Sequence, residues 1–454
     1  MKQMQSVPLP TIADSSIALP VQGESGKTVE ERYAYWRLRI LYSMIFGYAA
    51  FYLVRQNLSM VMPTLISEYG YSKTQLGAII TIWSVVYGVG KFVNGYFSDR
   101  SNARYFMTIG LLGAAATSFF MGFGTSLYYF GFFWAINAWF QSMGFPPVAR
   151  LVTHWFSPAE LGTKWGLTII SHQLGSASIA LLAGYLIIHY GWESAFIVPA
   201  IIVLVAAFFL FNRLRDTPQS IGLPSIEQHH GLAKNQQEID EDHLSPKELI
   251  MKVVNNRLLW CVCMANMFFY VVRLGILNWA PTFLNELKGA SLMSSGWQVA
   301  GYDVAGMVGG IMAGWISDRY FKGRRGPVSV IYMILLIGCL CCLWLLPAGN
   351  QVLSALTMVA LGFLVYGPQV LAGVASADMA SKKAVGMANG FMGTFAYLGS
   401  GLSGICVGWL ADNYGWNGGF MFFIASAFLS TFFFSLTWSY RPKVLEDVPA
   451  ELQE

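Results

Sequence analysis

Two near-identical stretches, FYLVR at 51–55 and FYVVR at 269–273, each place an arginine inside a long apolar run. A third cation, Lys91, and one carboxylate, Asp303, fall in similar runs, and His172 lies in another. An ionisable side chain at mid-bilayer costs at least about 2.5–3.5 kcal/mol, so each is a functional candidate by default. Three cations against one carboxylate do not balance, as they would if they served only to hold helices together. A mobile anion of about two negative charges is the economical partner, and a phosphate group has that charge near neutral pH. Guanidinium suits it, because its planar fork matches phosphate oxygens with two parallel hydrogen bonds. The competing arrangement pairs one arginine with Asp303 and leaves the other on backbone carbonyls.

Helical spacing supplies neighbours. Tyr48, Tyr52 and Arg55 share one face, as do Asn266, Tyr270 and Arg273. The Tyr52 and Tyr270 hydroxyls are placed either to bond a phosphate or sugar or simply to pack. Lys91 lies about 10 Å along its helix from a Ser-Asp-Arg sequence. It either binds the anion or pairs with Asp303, and breaking such a pair exposes an uncompensated charge. His172, in IISHQLGS, is either a donor that senses phosphate protonation or a satisfied polar group in a packed helix.

The elements that must position these residues follow from composition. The chain is 55% hydrophobic and 11% charged, with a mean hydropathy of +0.50. Soluble domains average about 25% charged residues. This balance points to a polytopic membrane protein whose surroundings are the lipid bilayer, and gives no sign of a nucleic-acid partner or an enzyme. Apolar segments lie near 38–66, 74–98, 104–124, 126–150, 163–189 and 193–213, and again near 257–285, 291–317, 326–346, 351–375, 385–411 and 416–439. Most are long enough to span, which takes roughly 20 helical residues. Residues 1–36 read as a cytosolic tail, 37–213 and 257–440 as two six-helix bundles, 214–256 as a cytosolic linker with the acidic run EIDEDH, and 441–454 as a second tail. Of 28 Lys and Arg, only Lys73 and Lys288 fall in loops on the face opposite the basic loops. That bias places both termini in the cytoplasm.

The tail sequence GESGKT lacks the first glycine of a phosphate-binding loop, Val21 standing there, and no strand precedes it. The six cysteines lie in apolar segments without metal spacing and read as small packing residues. No cofactor or metal is expected.

The chain repeats itself. Pro-Thr follows each arginine at 63–64 and 281–282; GYFSDR ends at 100 and GWISDR at 319; LGS recurs at 174 and 398, and YGW at 190 and 414. The fold class is therefore all-α: twelve transmembrane helices in two tandemly duplicated bundles of like orientation, which is the major facilitator architecture. Gly95, Asp99, Arg100 and Arg104 recur as Gly314, Asp318 and Arg319 with Arg324 and Arg325. This pair resembles that superfamily's loop motif, whose glycine permits close helix approach and whose charges latch neighbouring helices.

GYAAFYLVRQN, GKFVNGYFSDRSNARYF, QSMGFPPVARLVTHW, YVVRLGILNWAPTFL and SKKAVGMANGFMGTFAYLGS together resemble the organophosphate:phosphate antiporters, nearest the hexose-phosphate transporter and sensor group, over nearly all of 32–440. The resemblance implies exchange of a sugar phosphate such as glucose 6-phosphate for inorganic phosphate, by alternating access in a bacterial inner membrane. It carries the paired phosphate-binding arginines to Arg55 and Arg273, further polar site residues to Lys91, His172 and Asp303, and a tyrosine of span eleven to Tyr397. The sequence departs from the family in LTIISHQLGS, with Thr168 where relatives often have tryptophan, and in the uncharged AYLGSGLSG. The alternative within the same resemblance is a membrane receptor that senses external hexose phosphate and signals to a histidine kinase.

Overall fold

The computed structural model describes residues 28–157, 160–230, 246–380 and 384–440. The acidic run, the C-terminal tail and most of the N-terminal tail lie outside the described residues. Thr28, the last residue of GESGKT, is described. It caps the first helix, accepting a hydrogen bond from the Glu31 amide while the Glu31 carboxylate accepts from the Thr28 amide. The threonine of the apparent nucleotide motif is thus a helix start signal.

The first half comprises α1 (Val29–Leu53), α2 (Asn57–Tyr69), α3 (Lys73–Arg100), α4 (Ala103–Met121), α5 (Leu127–Gln141), α6 (Phe145–Trp155), α7 (Leu161–Tyr190) and α8 (Ser194–Arg213). Two short helices, α9 (Ile226–His230) and α10 (Pro246–Val254), lead to the second half: α11 (Arg257–Lys288), α12 (Leu292–Arg319), α13 (Arg325–Leu345), α14 (Gln351–Asp378) and α15 (Val385–Ser435). α1 with α2 and α5 with α6 each form one broken span. α15 contains two spans, divided at Gly415, whose φ of 65° is left-handed. Twelve spans result among the described residues. Phe46, Phe92, Phe208, Ile311 and Leu356 are exposed on the outer surface, as an apolar solvent permits.

Each break has a local cause. Phe145, Pro146 and Pro147 open α6, and proline fits a first turn because its missing amide would be unpaired there anyway. Between α1 and α2 the buried Gln141 donates to the carbonyls of Phe51 (2.9 Å) and Val54 (3.3 Å), the former also accepting from the Val54 amide at 3.4 Å. A glutamine from one broken span thus satisfies the backbone of the other.

The residues after α8 bind the start of α1. Arg32 donates to the Ile221 carbonyl at 2.9 Å, the Tyr33 hydroxyl donates to the Pro224 carbonyl, and the Tyr33 and His229 rings stack 4.2 Å apart. Nearby, Arg37 pairs with Glu160. Arg37 first, and then the Ser157 hydroxyl and amide, hold the Glu160 carboxyl down at about 2, against burial that would raise it.

The halves meet tightly on the side away from the Ser-Asp-Arg loops. Asp412 accepts from the amides of Lys73 (3.1 Å) and Thr74 (2.7 Å) and from the Thr74 hydroxyl (2.6 Å), so a carboxylate of α15 caps α3. Lys73 pairs with Glu286 at 3.1 Å, and the Trp416 indole donates to the same carboxylate. A Cβ at Gly77 would lie 2.3 Å from the Gly404 carbonyl oxygen, and one at Gly408 would lie 2.3 Å from that of Lys73. Across the bundle, a Cβ at Gly296 would lie 2.6 Å from the Ala180 carbonyl oxygen. On the loop side, Gly95, Gly314, Gly373 and Gly386 would each meet nothing within 4 Å. The molecule is closed on the far side and open on the loop side.

A Gly404→Val side chain cannot fit against Gly77 and Thr81, so this variant should hold the far side open. A cysteine introduced at Thr81, in a background without reactive cysteines, should react with an impermeant maleimide in that variant and stay protected in its parent. Equal labelling in the two would refute the backbone seal.

Glu160 gives a pH prediction. Because its folded pKa lies below the ordinary 4.5, the pair stabilises the protein above about pH 4.5, and that contribution fades as pH falls toward 2. The groups are partly exposed, so Glu160→Gln should cost no more than about 1 kcal/mol at pH 7. Melting curves should converge with wild type on acidification.

Candidate functional site

Arg55 lies at the break between α1 and α2, its amide held by the Tyr52 carbonyl at 3.2 Å. It is 9% exposed. Its guanidinium carbon sits 4.9 Å from the Tyr52 ring centre and 4.6 Å from those of Trp83 and Tyr87. Two of its nitrogens donate at 3.4 Å to the hydroxyls of Tyr52 and Tyr397. Arg273, 6% exposed, sits within an unbroken α11 and faces two rings, Tyr270 at 5.2 Å and Tyr366 at 5.0 Å. Among the described residues neither arginine forms an ion pair, and the buried Nε of Arg273 has no hydrogen-bond partner.

The sequence-identified neighbours converge here. Tyr397 is the hub: its ring centre lies 4.5 Å from Tyr87, 6.2 Å from Tyr270 and 5.7 Å from the Lys91 ammonium. The buried His172 ring lies 5.2 Å from Tyr52, and 6.3 Å from both Tyr48 and Tyr366, so it touches rings of both halves. Tyr48 packs edge-on against Tyr52 at 5.7 Å. Asn266 turns aside, its amide donating to the Met392 carbonyl at 3.5 Å. Trp83, Tyr87 and Tyr366 were absent from the sequence-based set. Helical spacing from Lys91 would have found the first two, at eight and four residues before it.

Asp303 departs from both pairings that the sequence offered. Its fully buried carboxylate accepts from Ser176 of α7 at 2.5 Å and from Tyr366 of α14 at 2.8 Å, and takes neither Lys91 nor an arginine. Lys91 instead places its ammonium over the Phe145 and Tyr397 rings. The Ser176 bond joins the two halves, so Asp303 serves the interface between them.

The loop motifs latch through partners that the spacing did not give. Arg104 donates to the Phe211 carbonyl at 2.5 Å, and Arg100 lies 3.7 Å over the Tyr96 ring. Arg150 donates to the Asp99 carbonyl at 2.6 Å and binds Asp216 through two nitrogens at 3.0 Å, while Asp216 also caps α4. In the second half Arg325 joins Asp318 and Asp378, and Arg319 closes α12. The expected close approach at Gly95 and Gly314 is not made: a Cβ at either would meet nothing within 4 Å.

The arrangement is a buried, aromatic-walled, cationic site between two matching bundles. The family model of the major facilitator superfamily matches residues 44–375. The chain belongs to the major facilitator superfamily. Like other members of that superfamily it is a multi-pass membrane protein. It is 39% identical over 433 residues to a probable hexose phosphate transport protein of Chlamydia pneumoniae, covering 92% of this chain and 95% of that one. It is 40% identical over 419 residues to the glycerol-3-phosphate transporter of Bacillus subtilis (90% and 94% covered), and 37% identical over 404 residues to the membrane sensor protein UhpC of Escherichia coli (88% and 92%). Its fold matches an inward-facing, unoccupied bacterial homologue of the lysosomal transporter Spinster, with a TM-score of 0.74 at 14% identity, over 88% of this chain and 97% of that one.

Because Asp303 and Lys91 do not touch, their removal should not be coupled. A double-mutant cycle with Asp303→Asn and Lys91→Met should give an interaction energy under about 0.5 kcal/mol in thermal unfolding. Asp303→Asn with Ser176→Ala should give about 1 kcal/mol or more, since these two share a buried hydrogen bond. The reverse ranking would restore the ion-pair model.

Proposed function

We propose that this protein exchanges a sugar phosphate, a hexose 6-phosphate such as glucose 6-phosphate, for inorganic phosphate by alternating access in a bacterial inner membrane, with its termini and Ser-Asp-Arg loops in the cytoplasm. The observation that carries the reading is the pair of buried arginines, one from each half, neither of which has a carboxylate partner among the described residues. A phosphate dianion between them would neutralise both, with Lys91, His172 and the hydroxyls of Tyr52, Tyr270 and Tyr397 as further donors and Tyr48 backing Tyr52. Relatives named as hexose phosphate and glycerol-3-phosphate transporters support the substrate class.

The gating follows from the same site. With the anion bound, the halves rock about it; the Asp412, Glu286 and Asp303 contacts part on the far side, and Gly95 and Gly314 come into close contact on the loop side. Without the anion, the unneutralised guanidiniums disfavour the crossing and tie outward to inward movement. A receptor reading keeps the same site and differs only in output. It draws on the 37% identity to UhpC, and it would have a histidine kinase as partner.

The test is phosphate self-exchange in proteoliposomes, competed with glucose 6-phosphate and glycerol 3-phosphate. Arg55→Lys and Arg273→Lys keep the charge and lose the fork, which should cut exchange about 10- to 100-fold for a charged hydrogen bond of about 1.5–3 kcal/mol. Unchanged exchange in both variants would remove the two-arginine site. Sugar-phosphate binding without exchange by the wild type would favour the receptor.

A further inference from the structure

A small chamber of mixed polar and apolar lining adjoins the arginine site. Its polar wall is Arg55, Gln56, Ser59, Asn278 and Ser400, and the rest of its lining is apolar and aromatic, Trp83 included. Gln56 and Ser59 follow Arg55 toward the closed side, and Asn278 lies just over one helical turn beyond Arg273 in the same direction. Above the chamber the halves are sealed where the Thr81 hydroxyl donates to the Gly401 carbonyl at 2.7 Å, and at its edge the Ser84 and Ser400 hydroxyls meet at 2.8 Å.

Its two amides are the groups suited to an uncharged ligand. Gln56 is 7% exposed and Asn278 is half-buried, and both line the chamber, where a water-sized space reaches them. Each amide offers two donors and an acceptor but no charge. That inventory matches hydroxyl groups, whereas a dianion would go to the adjacent guanidinium. One amide comes from each half, as the two arginines do.

The chamber is small, about 30 Å³, which is room for about two waters and far too little for a sugar. It enlarges only when α3 and α15 separate above it, which is the opening of the far side. We propose that Gln56 and Asn278 form a hydroxyl-recognising subsite. It receives the polyol end of an organophosphate whose phosphate lies on Arg55 and Arg273, when the far side is open. The proposal rests on the phosphate-site reading above. It implies that inorganic phosphate, which has no polyol, ignores the subsite. Selection among organophosphates is then separate from phosphate recognition and is expressed on the far side.

The experiment uses Gln56→Leu, Asn278→Leu and the double variant, in full-length protein reconstituted in proteoliposomes. Leucine already occupies the position equivalent to Gln56 in the second half, Leu274, which also lines the chamber, so the variants should fold. Phosphate self-exchange should keep its KM within twofold. Inhibition by glucose 6-phosphate added on the far side should weaken about three- to tenfold per amide lost, the scale of one neutral hydrogen bond. Equal weakening for phosphate and glucose 6-phosphate would overturn the subsite, and so would no weakening for either. Binding is followed in parallel by the fluorescence of Trp83, measured against a Trp83→Phe control. If the wild type binds glucose 6-phosphate but exchanges nothing, antiport fails. The subsite then stands only if the leucine variants weaken that binding selectively.

Discussion

The structure depends on two guanidinium charges kept in a low-dielectric interior, neither of which forms an ion pair among the described residues. An embedded cation costs about 2.5–3.5 kcal/mol or more. The protein offsets this with aromatic faces, three at Arg55 and two at Arg273. Each desolvated face contributes up to about 2 kcal/mol. Together they are of the same order as the insertion cost, so the charges are tolerated without being neutralised. A carboxylate partner would have been more stabilising for the fold, but it would compete with any anion. Quadrupoles and hydroxyls solvate a cation and still leave its net charge available.

The seal on the far side obeys the opposite logic. It is made where side chains are missing: Gly77, Gly404, Gly408 and Gly296 bring backbone against backbone. Asp412 and Glu286 then fix the register with hydrogen bonds to the end of α3 and to Trp416. Such a contact is flat and short-ranged, so a small rotation of one half breaks it as a unit. The corresponding glycines on the loop side, Gly95 and Gly314, stand idle in this conformation. A glycine motif therefore marks where surfaces meet in at least one state, and a single structure shows it used or unused.

Much of this was legible in the sequence, because duplication writes the important positions twice. Arg55 and Arg273, the Ser-Asp-Arg loops and the span count could all be read from repeated words and from charge in apolar runs. Contacts between the copies could not, since spacing within a helix does not say which residue of the other half it meets. Asp303 illustrates this: charge balance offered it a lysine or an arginine, whereas the fold gives it a serine and a tyrosine. Arg150 and Asp216, which anchor the first latch, lie outside the repeated motif and carried no signal of their own. Lys288 read as a loop residue, yet it is buried, with its ammonium donating to the carbonyls of Trp344 and Leu346.

The duplication also hides a difference. The two arginines share a sequence word but not a backbone: Arg273 lies in the middle of a continuous helix, while Arg55 sits at a break whose carbonyls are held by Gln141. A residue in an unbroken helix moves only with its whole bundle. A residue at a break can shift with the short helix beyond it, provided the carbonyls there keep a donor, and a single glutamine amide serves both here. The Arg55 side also carries the greater number of aromatic faces and its hydrogen bond to Tyr397 of the other half. Of two arginines that look identical in sequence, one lies within a continuous helix of its own bundle, and the other stands at a break and bonds to the opposite bundle.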